Sequence, residues 1–281
     1  MWDIISPLFK GIHGELTDEL KYLKIKHEIK DSRELIERLA AKAKLDPLSV
    51  EFSQHLDKHD KLSHLRDEFN IPKSRDVIPK DVVSLNPNES SIYFCGNSLG
   101  PMPKRVKELV NQELDVGVNG HFTHPYNRPW LSIEDTVVEK TAEVVGFQVS
   151  NPSVLNTVSL LASLEVFSKT SMVQLRSKSI LLTGYLEYLL VKQLNGLGYK
   201  IITPHDPHQR GCQISLVFDE DKLDKVVKGL LSHGAVVDER SPDCIRIAPN
   251  PMYNSFSEVF RFVKALKTTM GDLGFKFEAK K

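Results

Sequence analysis

The hydrophobic positions of this chain follow helical spacing through its first two hundred residues and strand spacing only after that. Residues 16–45 are charged and helix-prone, with apolar positions at Leu35, Ile36, Leu39 and Ala40. Asp46-Pro47 then predicts a stop and a new start, because the residue before a proline avoids the helical region. From Pro47 to Asn70 the spacing of Val50, Phe52, Leu56, Leu62, Leu65 and Phe69 is again roughly helical. Residues 71–90 hold three prolines and two asparagines with little periodicity and predict a loop. Ile92-Tyr93-Phe94-Cys95 predicts a short extended segment, and Gly96, Gly100 and Pro101 a tight turn after it. Residues 103–116 predict an amphipathic helix through Val106, Leu109, Val110 and Leu114. A loop, NGHFTHPYNRPW, covers 119–130, and 131–145 is helical again. Residues 151–197 predict one or two long helices, with Asn151 suited to the cap and Pro152 to the first helical position.

After Gly196-Leu197-Gly198 the texture changes. Ile201-Ile202 and residues 213–218 predict strands, 221–233 a helix, 235–237 and 244–248 strands, and 255–270 the last helix. The expected class is therefore α+β: a helix-rich N-terminal part, a long bridging helix, and a C-terminal β-β-α-β-β-α domain. No internal repeat is present.

Charge narrows the function classes. Lys+Arg and Asp+Glu both number 37, so the net charge is zero. A nucleic-acid binder usually carries a basic excess or stripe, so nucleic acid is not an expected partner. Three cysteines, Cys95, Cys212 and Cys244, form no CxxC and predict neither a disulfide framework nor a zinc ribbon. Reduced thiols fit a cytoplasmic protein. No apolar run reaches the roughly 18 residues of a membrane span. The opening MWDIISPLFKGIHGEL lacks the bias of a signal or transit peptide.

Among candidate chemistry, Arg246 in CIRIAPNPMYNSF stands foremost. A strand ending in arginine before Pro249 and Pro251 sets a planar fork at a rigid edge, where it fits a carboxylate bidentately. A surface arginine on a strand is the competing reading. Gly96-Asn97-Ser98-Leu99-Gly100 is a turn that lets backbone approach a ligand, although an ordinary turn has the same composition. His121 and His124 share a loop with Tyr126, Arg128 and Trp130, and histidine can exchange protons near neutral pH. The pairs His55/His59, His121/His124 and His205/His208 lack HExxH context or a third ligand, so no metal is expected. No GxSxG elbow and no Cys-His signature is present.

Taken together, HLDKHDKLSHLRDEFNIPK, IYFCGNSLGPMPK, GHFTHPYNRPW, SNPSVLNTVSLLASLEVF, LLTGYLEYLL, ITPHDPHQRGCQISLVF and IRIAPNPMYNSF resemble kynureninase, in that family's order, from residue 34 to the end. The resemblance implies a fold-type-I pyridoxal 5'-phosphate enzyme, a cytoplasmic homodimer of tryptophan degradation and NAD synthesis. It implies hydrolysis of L-kynurenine or 3-hydroxykynurenine to anthranilate or 3-hydroxyanthranilate plus alanine. It also implies that Arg246 holds the substrate carboxylate. Asn151 would lie near the substrate ring, and could touch the cofactor, with Ser98 beside it. His121 would face the substrate.

The resemblance breaks at one place. In the family a long cofactor domain separates the helix resembling residues 131–146 from SNPxxL, whereas here Val145-Gly146 runs almost directly into Phe147. The aldimine lysine, the aspartate for the pyridine nitrogen and the Leu-Thr turn for the phosphate have no counterpart. No Gly/Ser/Pro linker marks the seam, which reads as a deletion. The expected division is a helical extension (1–33), a kynureninase-like N-terminal segment (34–146), bridging helices after the seam (147–198) and an α+β domain (199–281). Two functions follow: a kynureninase-family chain inactive by itself, with no catalytic residue of its own, or a non-catalytic subunit pairing with a full-length paralogue. A ligand-free helical protein is a third.

Overall fold

The computed structural model describes residues 31–79, 82–83, 85–97, 99–116, 124–128, 130, six positions within 133–141, 154–194, 198–219 and 222–275. In chain order the helices and strands are α1 (Ser32–Ala43), α2 (Val50–His59), α3 (Ser74–Val77), β1 (Ile92–Tyr93), α4 (Lys104–Val116), α5 (Val154–Phe167), α6 (Met172–Leu194), β2 (Tyr199–Ile201) and β3 (Ile214–Phe218). They continue with α7 (Leu223–Ser232), β4 (Ala235–Val236), β5 (Asp238–Arg240), β6 (Cys244–Ile247) and α8 (Phe256–Asp272). The class is α+β, as expected. Residues 1–30 of the extension expected over 1–33, the seam at 146–147, and Ser98, His121 and Asn151 lie outside the described residues.

Local signals set most boundaries. The Asp31 side chain caps α1 by accepting from the Arg33 N–H at 2.8 Å, and Lys44 ends it in the left-handed region. Leu35, Ile36, Leu39 and Ala40 are its buried stripe. Ser49 caps α2 through the Phe52 N–H at 3.1 Å. The helical spacing expected on to Asn70 is interrupted after His59: Asp60 turns its carboxylate inward, and a 3-10 helix, Ser63–Glu68, follows. The loop expected over 71–90 contains the single-turn α3.

The chain divides into two units. The first comprises residues 1–63, 71–100 and 173–281. Its core surrounds α6, whose Leu182, Tyr185, Leu186, Leu189 and Leu190 are wholly buried. Gly184 lets α1 approach, since a Cβ there would meet the Ser32 Cβ at 2.5 Å. Helix α8 packs on α2 and α7. Asp57 of α2 caps α8 by accepting the Phe256 and Ser257 N–H groups at 2.5 and 2.9 Å.

The sheet of this unit is antiparallel in the order β2-β3-β6-β5. Ile214↔Ile247 and Leu216↔Ile245 are buried register pairs on one face. The order from residue 199 is β-β-α-β-β-β-α rather than the expected β-β-α-β-β-α. The difference lies at Val237: β4 pairs in parallel with β1, and the chain then crosses to the sheet edge as β5. Isolated bridging of Cys95 to Ala248 extends the β1 side.

The second unit comprises residues 64–70 and 101–172. Helices α4 and α5 enclose Leu109, Ile133, Val137, Val158, Leu161, Ala162 and Leu164. The expected long segment 151–197 is two helices interrupted at 168–171, and α5 and α6 belong to different units.

Candidate active site

Arg246 stands on β6 between Ser215 of β3 and Asp238 of β5 in the sheet register. Side chains alternate across a strand, so the burial of Ile245 and Ile247 turns Arg246 to the opposite face. Its Nη2 donates to the Asp238 Oδ2. The same oxygen accepts from Arg240 Nη2 and from Asn97 Nδ2, each at 3.1 Å. Asn97 therefore ties the Gly96–Gly100 turn to the arginine strand through one carboxylate. The Arg246 Nε is buried and makes no hydrogen bond among the described residues.

Electrostatics follow from this cluster. Burial pushes the Asp238 carboxyl up, but donors from Arg246 and Asn97 and the charges of Arg246 and Arg240 outweigh it and hold the group below the usual range. Two arginines and one aspartate leave a net positive charge. Burial, aided by the Asp238 charge, pushes the neighbouring Cys95 thiol up to about 11, which keeps it protonated.

The turn itself rests on the segment after β6. A Cβ on Gly96 would lie 2.6 Å from the Tyr253 hydroxyl and 2.9 Å from the Asn250 Cβ. Only glycine allows that approach. Asn254 anchors the same segment to β1 by donating to the Tyr93 carbonyl at 3.2 Å.

In the other unit His124, Arg128 and Trp130 converge on Glu113 of α4. Its Oε2 accepts from His124 Nε2 at 2.7 Å and Trp130 Nε1 at 2.8 Å. Its Oε1 accepts from Arg128 Nε at 3.0 Å and Nη2 at 2.8 Å. Among the described residues no three His, Cys, Asp or Glu side chains gather as a metal site would need. No described helix is long and apolar enough to cross a membrane.

Comparison with known proteins decides the family. The model for the kynureninase C-terminal domain matches residues 175–266. A kynureninase of Monosiga brevicollis is 41% identical over 439 residues, an alignment covering 78% of this chain and 95% of that protein. The chain belongs to the kynureninase family. Kynureninase 1 of Emericella nidulans is 49% identical over 120 residues, 42% of this chain and 25% of its own length. Kynureninase 2 of Phaeosphaeria nodorum is 40% identical over 159 residues, 54% of this chain and 32% of its own. The chain thus spans a quarter to a third of those fungal kynureninases. The Monosiga alignment is longer than this chain of 281 residues, so part of that kynureninase faces a gap here.

A kynureninase holds pyridoxal phosphate through a lysine amine, so the described lysines are the test of fit. Lys178 is the buried one, and its Nζ lies 2.6 Å from the Asp60 Oδ2 with both side chains out of water. An ammonium held there is neither free nor reachable. The other described lysines are exposed or half-buried. The described residues do not fit the cofactor.

Of the sequence-stated site residues the structure describes Arg246 alone, on the strand where it was expected. Asp238 was not singled out by sequence, and Asn97 only as part of the Gly96–Gly100 turn. The signal was the strand pairing, which sets Asp238 opposite Arg246 and cannot be read from composition. Glu113 was not singled out either, being one acid of the amphipathic helix expected over 103–116.

Proposed function

We propose that this is a kynureninase-family chain without the cofactor-holding middle of the family, and that it does not hydrolyse kynurenine by itself. The family reaction releases anthranilate, or 3-hydroxyanthranilate, and alanine in tryptophan degradation and NAD synthesis. In that reaction the cofactor supplies the electron sink, and the protein orients the substrate and moves protons. Here Arg246 supplies the carboxylate fork, a role that the net positive charge beside Asp238 and the unsatisfied Nε support. The resemblance makes Ser98, His121 and Asn151 the other substrate-side positions of the family, and residues 199–281 correspond to the small domain of a fold-type-I enzyme. The divisions at 33, 146 and 198, and a cytoplasmic location, belong to the same reading.

The observation that carries the proposal is the alignment: the chain reaches across 95% of a full kynureninase with fewer residues than aligned positions. Both ends are kept and an internal block is not. The test is release of anthranilate from L-kynurenine, or of 3-hydroxyanthranilate from its 3-hydroxy form, with added pyridoxal phosphate. None is expected. Release that disappears in Arg246→Ala would overturn the reading.

One observation favours a second role, as a non-catalytic subunit of a full-length kynureninase. Helix α5 leaves two leucines, Leu155 and Leu160, 46% and 39% exposed. Exposed leucines of this kind suit cover by a further body. Co-purification with full-length kynureninase, weakened by Leu155→Glu, is the expected result. A chain that stays alone in such mixtures contradicts it.

A further inference from the structure

Four donor groups converge on the carboxylate of Glu113, and the three residues that supply them, His124, Arg128 (twice) and Trp130, lie within seven positions of the chain. The Glu113 side chain is 1% exposed, His124 0% and Arg128 12%. Arg128 also donates to the Gln112 Oε1 at 2.8 Å, so both side chains of one helical step grip it. The bidentate guanidinium balances the buried negative charge, and every lone-pair direction of the carboxylate has a donor.

The pattern also fixes the protons. The Tyr126 N–H donates to His124 Nδ1 at 3.1 Å, so that nitrogen is an acceptor. The remaining ring nitrogen, Nε2, then carries the hydrogen given to Glu113. A neutral ring of one tautomer is the arrangement that satisfies both contacts.

We infer that Glu113 is a positioning residue, a single ionised carboxylate that folds the 124–130 loop and locks His124 as the neutral Nε2–H tautomer. Burial pushes its carboxyl up, and the hydrogen bonds from Trp130, His124 and Arg128 outweigh burial and hold it below its ordinary range. His121 stands three residues before His124 in the chain, so the anchored His124 bears on the role proposed for it. This consequence rests on the proposed substrate-facing role of His121. The hub itself does not.

The test uses the full chain with Trp2→Phe, which leaves Trp130 as the single indole. Nitrogen-15 spectra of the His124 ring, assigned by loss in His124→Gln, are expected to give the Nε2–H tautomer in the unaltered loop. The Nδ1–H tautomer would overturn the inference without any change at Glu113. In Glu113→Gln, Trp130 emission should shift red and iodide quenching rise several-fold while helix content holds, and Glu113→Asp should restore part of the protection. Unchanged quenching in Glu113→Gln overturns the hub. L-Kynurenine supplies the third arm. If the parent chain does not bind it, the substrate-site reading falls and the hub stands on its spectra. If the parent binds and Glu113→Gln, with its loop open, binds as tightly, the positioning role is wrong.

Discussion

The Nζ of Lys178 lies 2.6 Å from the Oδ2 of Asp60, with the two side chains 1% and 2% exposed. This pair joins α6 to the end of α2, and Asp60 uses its other oxygen to accept the Leu62 N–H at 2.9 Å. Breaking a buried pair leaves one charge without a partner, at a cost of roughly 3–5 kcal/mol. Lys178→Met should therefore lower the unfolding free energy by about that much, on denaturant titration. Adding Asp60→Asn, which keeps the Leu62 contact and removes the stranded charge, should recover most of the loss. A double variant no more stable than Lys178→Met would show that the lysine stem, not the charge, matters.

Acid should loosen both units for a calculable reason. Asp31, Asp238 and Glu113 are each held below their ordinary carboxyl values despite burial that pushes them up. A depressed folded value stabilises the protein at pH above the unfolded value, about 4, and that contribution is lost as pH falls through the folded value. Stability should hold above about pH 5 and decline progressively below pH 4. Asp238→Asn should flatten that decline while costing stability at neutral pH. An identical acid limb in the variant contradicts the assignment.

Gly96 can be tested by size alone. Its missing Cβ would lie 2.6 Å from the Tyr253 oxygen, so Gly96→Ala should destabilise by about 1–3 kcal/mol, the usual cost of overpacking. Tyr253→Phe removes that oxygen and should return part of the loss, though Asn250 remains close. Melting temperatures of the two single variants and the double variant measure the coupling.

Much of this fold was legible in the sequence because its signals are local. Leu35, Ile36, Leu39 and Ala40 bury as their spacing predicts, and Ser49 and Ser255 cap helices by their own hydroxyls. Arg246 was legible as a strand arginine, and the resemblance implied the role proposed for it. What could not be read depends on distant pairing. Val237 divides an apparently single strand because β4 finds β1, more than 140 residues earlier. Asp238 matters because β5 lies beside β6 in one register, and Asp60 breaks a helical pattern because Lys178 lies over it. Glu113 did not stand out because its partners lie in a loop with no periodicity of its own.

The central proposal is that this chain keeps the substrate-side positions of a kynureninase and lacks the lysine that holds the cofactor. Borohydride reduction of the purified chain with pyridoxal phosphate, followed by peptide mass mapping, tests it directly. The expected map carries no pyridoxyl group at Lys178 and no single stoichiometric site elsewhere. One pyridoxyl-lysine at full occupancy, accompanied by anthranilate release from L-kynurenine, would contradict the account.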